Sequence, residues 1–336
     1  MVDQPMHPNK SFRRAISHLL TRTPKCAVAL LISTLLASFA LSACTSPDLE
    51  NETISVYSRE DGSGTRGAFA SLFGLETKLN GKTVDTITPS AVVTNSTAVM
   101  MTSVASDPAA IGYISYGSLN DTVKALAIDG VVPTTESIKD KSYKVFRAFS
   151  LVTDEPIDDI DTADETQTLK ADFMRFVASA EGQAIIEEAH FVGAVDDPVN
   201  YDRAPASMRP SGKLVIAGSS SVAGVMEKLA EAYEQLNPDA SIEVQQSDST
   251  TGIAMVGAHT CDIGMISRDL TQSEQDSGIV ATPLAFDGIA VIVNPNLPLD
   301  DMTSQEVARI FSGDITTFGE LPSWQQSVNQ TNPNGA

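Results

Sequence analysis

Nine consecutive residues near the start of the chain carry its most legible chemistry: Ser58-Arg59-Glu60-Asp61-Gly62-Ser63-Gly64-Thr65-Arg66. Glycines let a backbone approach an anion closely, and the free N–H groups and positive dipole end of a helix starting there favour negative charge. Ser63 and Thr65 add hydroxyl donors, and the Arg59 guanidinium can hold two oxygens of one anion. The stretch is not a Walker loop, because residues 62–67 lack the Lys-Ser/Thr ending. Alone, it is also compatible with an ordinary Gly/Ser helix entry among surface charges. Three more hydroxyl-rich turns recur: Asn95-Ser96-Thr97, Ser219-Ser220-Ser221 and Ser247-Asp248-Ser249-Thr250-Thr251-Gly252. Any one of them is more often a helix cap than a ligand site. Four together describe a dehydrated oxyanion site built from neutral dipoles.

Bond-breaking chemistry would need a nucleophile with a base, or a metal cluster. Beyond residue 43 the histidines are His190 and His259, and Ser63 has no base near it in sequence. His259-Thr260-Cys261-Asp262 holds ligand-type side chains, but its spacing matches no zinc site. The stretch directly precedes a core strand, where Cys261 reads as a small buried residue. The expectation is a binding protein, not an enzyme, with no metal and no cofactor.

Residues 1–43 read as an export signal. Lys10, Arg13, Arg14, Arg22 and Lys25 form a basic leader, and residues 27–43 an uncharged run rich in Leu, Ala and Ser. Leu41-Ser42-Ala43-Cys44 follows the pattern of a bacterial lipobox, whose Cys is acylated and becomes the first mature residue. An uncleaved anchor is the alternative, and 17 residues is short for a bilayer span. Residues 44–52 are then a tether to the extracytoplasmic face of the cell membrane. Only Cys261 is left for the folded part, so no disulfide is expected within it. Removing five Lys/Arg and one Asp with residues 1–43 takes the formal net charge from −21 to −25. Such acidity argues against nucleic acid and anionic membrane surfaces as ligands, and any bound anion must be held by local donors. About 290 residues remain, enough for two lobes of domain size.

The elements that position these turns alternate between apolar strand-like runs and amphipathic helices, the pattern of α/β architecture. Strands are expected at residues 53–57, 111–114, 148–152, 214–217, 242–245, 263–266 and 288–293. The first runs into the Gly-rich loop, followed by a helix through Phe73. Leu169, Phe173, Phe176, Val177, Ala180 and Ala184 repeat at three and four, which predicts one helical core face. Residues 198–212 contain three prolines and no apolar period, and read as a linker. Beyond them, Val222, Val225, Met226, Leu229, Ala232, Tyr233 and Leu236 form a helical stripe behind Ser219-Ser220-Ser221. Thr303 with Glu306 predicts a capping box for a helix ending near Gly313, and residues 326–336 read as a frayed polar tail.

Residues 58–69 (SREDGSGTRGAF), the AGSSSV run before the amphipathic helix, DIGMISRDL, FDGIAVIVNPN and IFSGDITTF together resemble the PstS-type phosphate-binding proteins of bacterial ABC importers. The resemblance covers nearly all of residues 53–324. It implies a two-lobed periplasmic-binding-protein fold of type II, inorganic phosphate as ligand, permease subunits of an ABC transporter as partners, and closure about a hinge. In that family the AGSSSV-like segment opens the mature chain, whereas here the SREDGSGTR half comes first. The chain thus resembles a circular permutant joined through residues 198–212, with two truncated halves of a tandem protein as the alternative. The permutant reading puts one lobe at 53–147 with 288–325 and the other at 148–287, with two hinge strands crossing near 146–152 and 286–293.

The family's ligand contacts carry over to Arg59, Asp61, Ser63, Gly64, Thr65, Ser221, Val222 (backbone), Ser249 and Ser267, with Ser220 and Thr250 in the same turns. Asp61 is the expected acceptor of the ligand's proton, the interaction that rejects sulfate. Some members have an Asp where this chain has Arg268, which either strengthens anion binding or pairs with Asp269 or another carboxylate. A surface sensor or adhesin reusing the fold, and a binder of another tetrahedral oxyanion, are the competing readings.

Overall fold

The computed structural model describes residues 49–79, 82–156 and 165–331. The expected signal (1–43), Cys44 and residues 45–48 of the expected tether lie outside the described residues, as do residues 332–336. The chain first forms β1 (Ser55–Arg59), α1 (Gly64–Leu72), a hairpin of β2 (Glu76–Leu79) and β3 (Lys82–Asp85), β4 (Val92–Thr94), α2 (Thr97–Ser106), β5 (Ala110–Ser115), the short β6 (Lys124–Ala125) and β7 (Ala127–Ile128), and α3 (Thr135–Lys139). Next come β8 (Phe146–Thr153), α4 (Glu165–Ala178), α5 (Ala180–Glu188), β9 (Val192–Gly193), β10 (Gly212–Ser219), α6 (Ser220–Leu236), β11 (Ala240–Ser247), α7 (Ser249–Gly257), β12 (Ile263–Ile266) and α8 (Gln272–Asp276). The long β13 (Val280–Val293), β14 (Asp301–Met302), α9 (Ser304–Ser312) and α10 (Pro322–Thr331) follow.

The main sheet runs β11-β10-β12-β8-β13-β5-β1-β4. At one end β10 is parallel to β11 and β12, and at the other β1 is parallel to β4 and β5. β8 and β13 join these sets in the middle, each antiparallel to its neighbours. β1, β4, β10 and β11 each lead into a helix, so α1, α2, α6 and α7 all start at the carboxyl ends of parallel strands. Ligand sites of open α/β sheets form at such edges.

Two large cores lie on either side of the crossing strands. One draws on residues 54–145 and 289–324, the other on 149–285. Each half of the sheet also has a smaller cluster on its other face. β13 divides its side chains accordingly: Ile289, Val291 and Val293 join one cluster, Ala290 and Ile292 another. Burial on both faces is why the run reads as continuously apolar instead of alternating.

Several boundaries differ from expectation. β1 begins at Ser55 and ends at Arg59, while Thr53 makes only an isolated bridge to Thr317. β13 extends back to Val280, because residues 280–287 pair with β8 and draw order from that partner. The single helical face expected from Leu169 to Ala184 is broken: Ser179 leaves the helix and caps α5 by accepting the Gly182 N–H at 3.2 Å. Ala184 is therefore exposed, and Ile186 fills the core. The expected tail is helical through Thr331. Leu49, expected in the tether, packs on the larger first core, and the Glu50 carbonyl accepts the Gly319 N–H at 2.8 Å. As expected, Thr303 and Glu306 form a reciprocal capping box, and Gly313 ends α9 at φ +86°.

Candidate functional site

The four hydroxyl-rich turns meet at one place, where the starts of α1, α2, α6 and α7 converge. Ser63, Ser96, Ser219 and Asp248 are the respective N-caps, each accepting a backbone N–H of its own helix. The first-turn residues behind the caps face one another across the two ends of the sheet. Thr65 Oγ1 lies 2.9 Å from Ser221 Oγ, and Thr97 Oγ1 lies 3.4 Å from both Ser220 Oγ and Ser221 Oγ. Ser219 donates to Ser267 Oγ at 2.9 Å, and Ser249 Oγ lies 3.4 Å from Ser267 Oγ while accepting its backbone N–H at 3.1 Å. Ser63, Thr65, Thr97, Ser219, Ser221, Ser249 and Ser267 are all buried.

Glycine permits this convergence. A Cβ on Gly64 would fall on Ser249 Oγ and Ser267 Oγ, so no larger residue fits between the two sides. Gly62 takes φ +90°, the left-handed region that glycine tolerates, and turns its carbonyl to Thr250, which donates its N–H at 3.3 Å and Oγ1 at 3.1 Å.

Arg59, at the end of β1, is 2% exposed and supplies the cluster's guanidinium. It donates to Ser220 Oγ at 3.0 Å and reaches Thr97 Oγ1 at 3.5 Å. Its Nε and Nη2 also fork onto Glu60 at 2.8 and 2.7 Å. Tyr113, buried on β5, accepts the Arg59 N–H at 3.2 Å, and burial raises its phenol above the ordinary range. Contacts of 3.4–3.5 Å are long for hydroxyl hydrogen bonds, which centre near 2.7–2.8 Å. Hydroxyls that satisfy each other so loosely, beside helix N-termini and a buried guanidinium, form a set of donors that an oxyanion can draw in. Such donors are effective in a low-dielectric setting whatever the acidity of the outer surface.

The structure brings together Arg59, Gly64, Thr65, Ser220, Ser221, Ser249 and Ser267, with Ser63 capping α1 and Val222 buried in the first turn of α6. It does not bring Asp61 there. That side chain is 98% exposed and lies 3.4 Å from Arg66, because the Gly62 turn points it outward. The carboxylate that reaches the cluster's guanidinium is that of Glu60. Arg268 is held at the rim by a two-pronged pair with Glu274 at 2.9 and 2.8 Å and donates to Thr250 Oγ1 at 3.1 Å, so it bonds a carboxylate, as one of its two readings expected. Sequence reasoning left Thr97, Ser219 and Glu60 unassigned. The caps marked the first two, whereas Glu60 carried no signal of its own beside Asp61. Cys261 is buried, and burial pushes its thiol up to about 11, away from nucleophilic use. No group of three or more His, Cys, Asp or Glu among the described residues could hold a metal ion.

Two halves of mixed sheet joined by two crossing strands, with helix N-termini gathered between them, define a substrate-binding protein of the periplasmic-binding-protein class. The PBP superfamily domain matches residues 36–181 and 203–335. Phosphate-binding protein PstS 2 of Streptococcus agalactiae is 44% identical over 295 residues, covering 87% of this chain and 96% of that protein. The crystal structure of a phosphate-binding protein of a phosphate ABC transporter from Streptococcus pneumoniae, 38% identical, superposes with a TM-score of 0.62 over 80% of this chain and 100% of that one. Phosphate-binding protein PstS of Bacillus subtilis is 32% identical over only 137 residues, 40% of this chain and 45% of that protein. The chain belongs to the PstS family of phosphate-binding proteins.

Proposed function

We propose that this protein captures inorganic phosphate outside the cytoplasm and presents it to an ABC-type importer, forming and breaking no bond in it. The observation that carries this reading is the convergence of four helix starts and the buried Arg59 guanidinium from both ends of one sheet. Phosphate oxygens replace the long hydroxyl contacts, and the bound anion draws the two halves together by binding the closed form more tightly than the open one. The two lobes are residues 53–147 with 288–325, and 148–287, a division supported by the two large cores. The ligand contacts are Arg59, Ser63, Gly64, Thr65, Thr97, Ser220, Ser221, Val222, Ser249 and Ser267.

Glu60 takes the role first expected of Asp61. Phosphate near neutral pH carries a proton that a carboxylate can accept, whereas sulfate carries none, so an acid in the cluster repels one and accommodates the other. The order of the halves is permuted relative to some other PstS proteins, while the S. agalactiae relative shares it. Supporting this, a single alignment spans the whole S. agalactiae relative but less than half of the B. subtilis one. Cys44 carries the lipid that tethers the protein to the extracytoplasmic face, a reading supported by Leu41-Ser42-Ala43-Cys44. Mass spectrometry of the membrane-bound protein should find an acylated Cys44 as its first residue, and an unmodified Cys44 or a retained 1–43 segment would refute the anchor. Calorimetric titration of anion-free protein beginning after Cys44 tests the ligand: tight one-to-one phosphate binding without sulfate binding is expected. No response to either anion from folded protein would overturn the reading in favour of another oxyanion or a surface sensor.

A further inference from the structure

Behind the anion cluster lies a buried ion pair that the binding of phosphate does not itself require. Arg147 on β8 and Asp287 on β13 are register partners in the antiparallel pair that joins the two halves of the sheet. Their side chains are 4% and 0% exposed. Asp287 Oδ2 accepts from Arg147 Nε at 3.4 Å and Nη2 at 3.2 Å. Its Oδ1 accepts from Ser115 Oγ, the last residue of β5, at 2.9 Å and from the Gly117 N–H in the turn that follows at 3.4 Å. Arg147 Nη1 in turn donates to the Ser267 carbonyl at 3.1 Å, and the guanidinium sits 5.0 Å over the Phe149 ring. One chain of contacts therefore runs from β5 on one side of the crossing strands, through Asp287 and Arg147, to the backbone of a residue whose hydroxyl lies in the anion cluster on the other side.

We propose that Arg147 and Asp287 are positioning residues for the anion site: the pair ties the crossing strands to the Ser267 turn, and the site takes its anion-binding geometry only while the pair is intact. This rests on the phosphate reading given above. Replacing a buried ion pair by apolar residues is often neutral or stabilising, so such a pair is better explained by geometry than by stability. Arg147 suits the task because its planar fork can engage Asp287 and the Ser267 carbonyl together, which a lysine cannot. The charged and titratable groups facing the pair are Arg59 from β1, Tyr113 from β5 and Tyr143 from the segment before β8. Burial pushes the Asp287 carboxyl up to about 6 in spite of Arg147 and the Ser115 and Gly117 donors. Mild acid thus protonates Asp287 and weakens the pair while Arg147 stays charged.

The test is the phosphate Kd of Asp287→Asn, Arg147→Lys and the unaltered protein between pH 5 and 8, with folding checked by thermal melts. Phosphate's own titration cancels in the ratio of variant to unaltered Kd. For Asp287→Asn that ratio should be about tenfold at pH 7.5 and approach one at pH 5, where the unaltered protein has itself lost the charge. Arg147→Lys should match the loss at pH 7.5 despite keeping its charge. A Kd ratio near one throughout, or raised but flat with pH, would overturn the inference, since a merely structural defect has no reason to vanish in acid. If Asp287→Asn does not fold, Ser115→Ala removes one donor to Asp287 without stranding a charge. It should weaken binding about threefold at pH 7.5 with the same decline toward pH 5, and a flat ratio again overturns the inference. Unaltered protein that binds no phosphate would instead overturn the reading of the site.

Discussion

Among the described residues two buried arginines sit in carboxylate pairs, and the pairs differ in kind. Arg59 and Glu60 are adjacent in sequence, and the Glu60 side chain is 21% exposed, so the carboxylate can swing without disturbing the sheet. Arg147 and Asp287 are 140 residues apart, held on crossing strands, with neither carboxylate oxygen free of a donor. On the function proposed above, the first pair can also engage an anion, whereas the second cannot exchange partners without breaking the junction of the two halves. A binding protein needs both kinds, because a donor must be releasable and the frame that aims it must not be.

Arg59→Ala attacks the exchangeable pair directly and should have the largest effect. Truncating one partner of a buried, hydrogen-bonded charge pair costs about 2–5 kcal/mol, so phosphate and every other anion should bind at least about 30-fold more weakly by calorimetry. The fixed pair should reveal itself in the stability of the anion-free protein. The native Asp287 pKa of about 6 lies above its ordinary 3.8. The stability this group contributes is therefore fully present below about pH 4 and lost as pH rises through 6, a change of ~3 kcal/mol. Denaturant unfolding from pH 4 to 7 should show that decline, and the decline should be absent from Asp287→Asn.

Glu60→Gln leaves the guanidinium in place but removes the acceptor's charge. Sulfate binding should strengthen by about tenfold relative to phosphate, ~1.4 kcal/mol, and an unchanged ratio in competition titrations would show that Glu60 does not discriminate. A third acid gives a purely structural contrast: Asp172, buried on α4, accepts from Tyr201 at 2.5 Å and Tyr233 at 2.7 Å. Tyr201 belongs to the linker and packs edge-on against Phe176, which pins residues 198–212 to the second core. Burial and the Asp172 carboxylate push the Tyr201 phenol up to about 12. Tyr201→Phe should lower stability by about 1–3 kcal/mol and leave the phosphate Kd unchanged. Asp61→Asn should have the smallest effect, less than about twofold on either anion, because exposed ion pairs are worth little.

Much of the site was legible before any coordinates. A helix start has a local chemical signature, so Ser63, Ser96, Ser219, Asp248 and Thr303 are found from the few residues that follow them. The alternation of strands and helices likewise follows from short-range periodicity, and Ile263–Ile266 is bounded as read. Which of two adjacent acids enters the cluster was not legible. Asp61 and Glu60 differ by one position, and the Gly62 turn, Arg66 and the opposing Ser220 decide between them. The break at Ser179 escaped for a related reason: the apolar spacing continues through it, while the side chain bonds its own backbone instead.

The sequence by itself determined the class of fold, the family and the hydroxyl-rich turns, because caps, apolar periods and contiguous motifs act over a few residues. Only the tertiary structure decided that Arg147 stands opposite Asp287, that Thr65 meets Ser221, and that Glu60 rather than Asp61 lies beside the anion's donors. These are juxtapositions of residues made when two distant strands cross and two sets of helix ends face each other. No local propensity encodes them, since the free energy that fixes them comes from packing the two large cores and reaches the site through the strands between them.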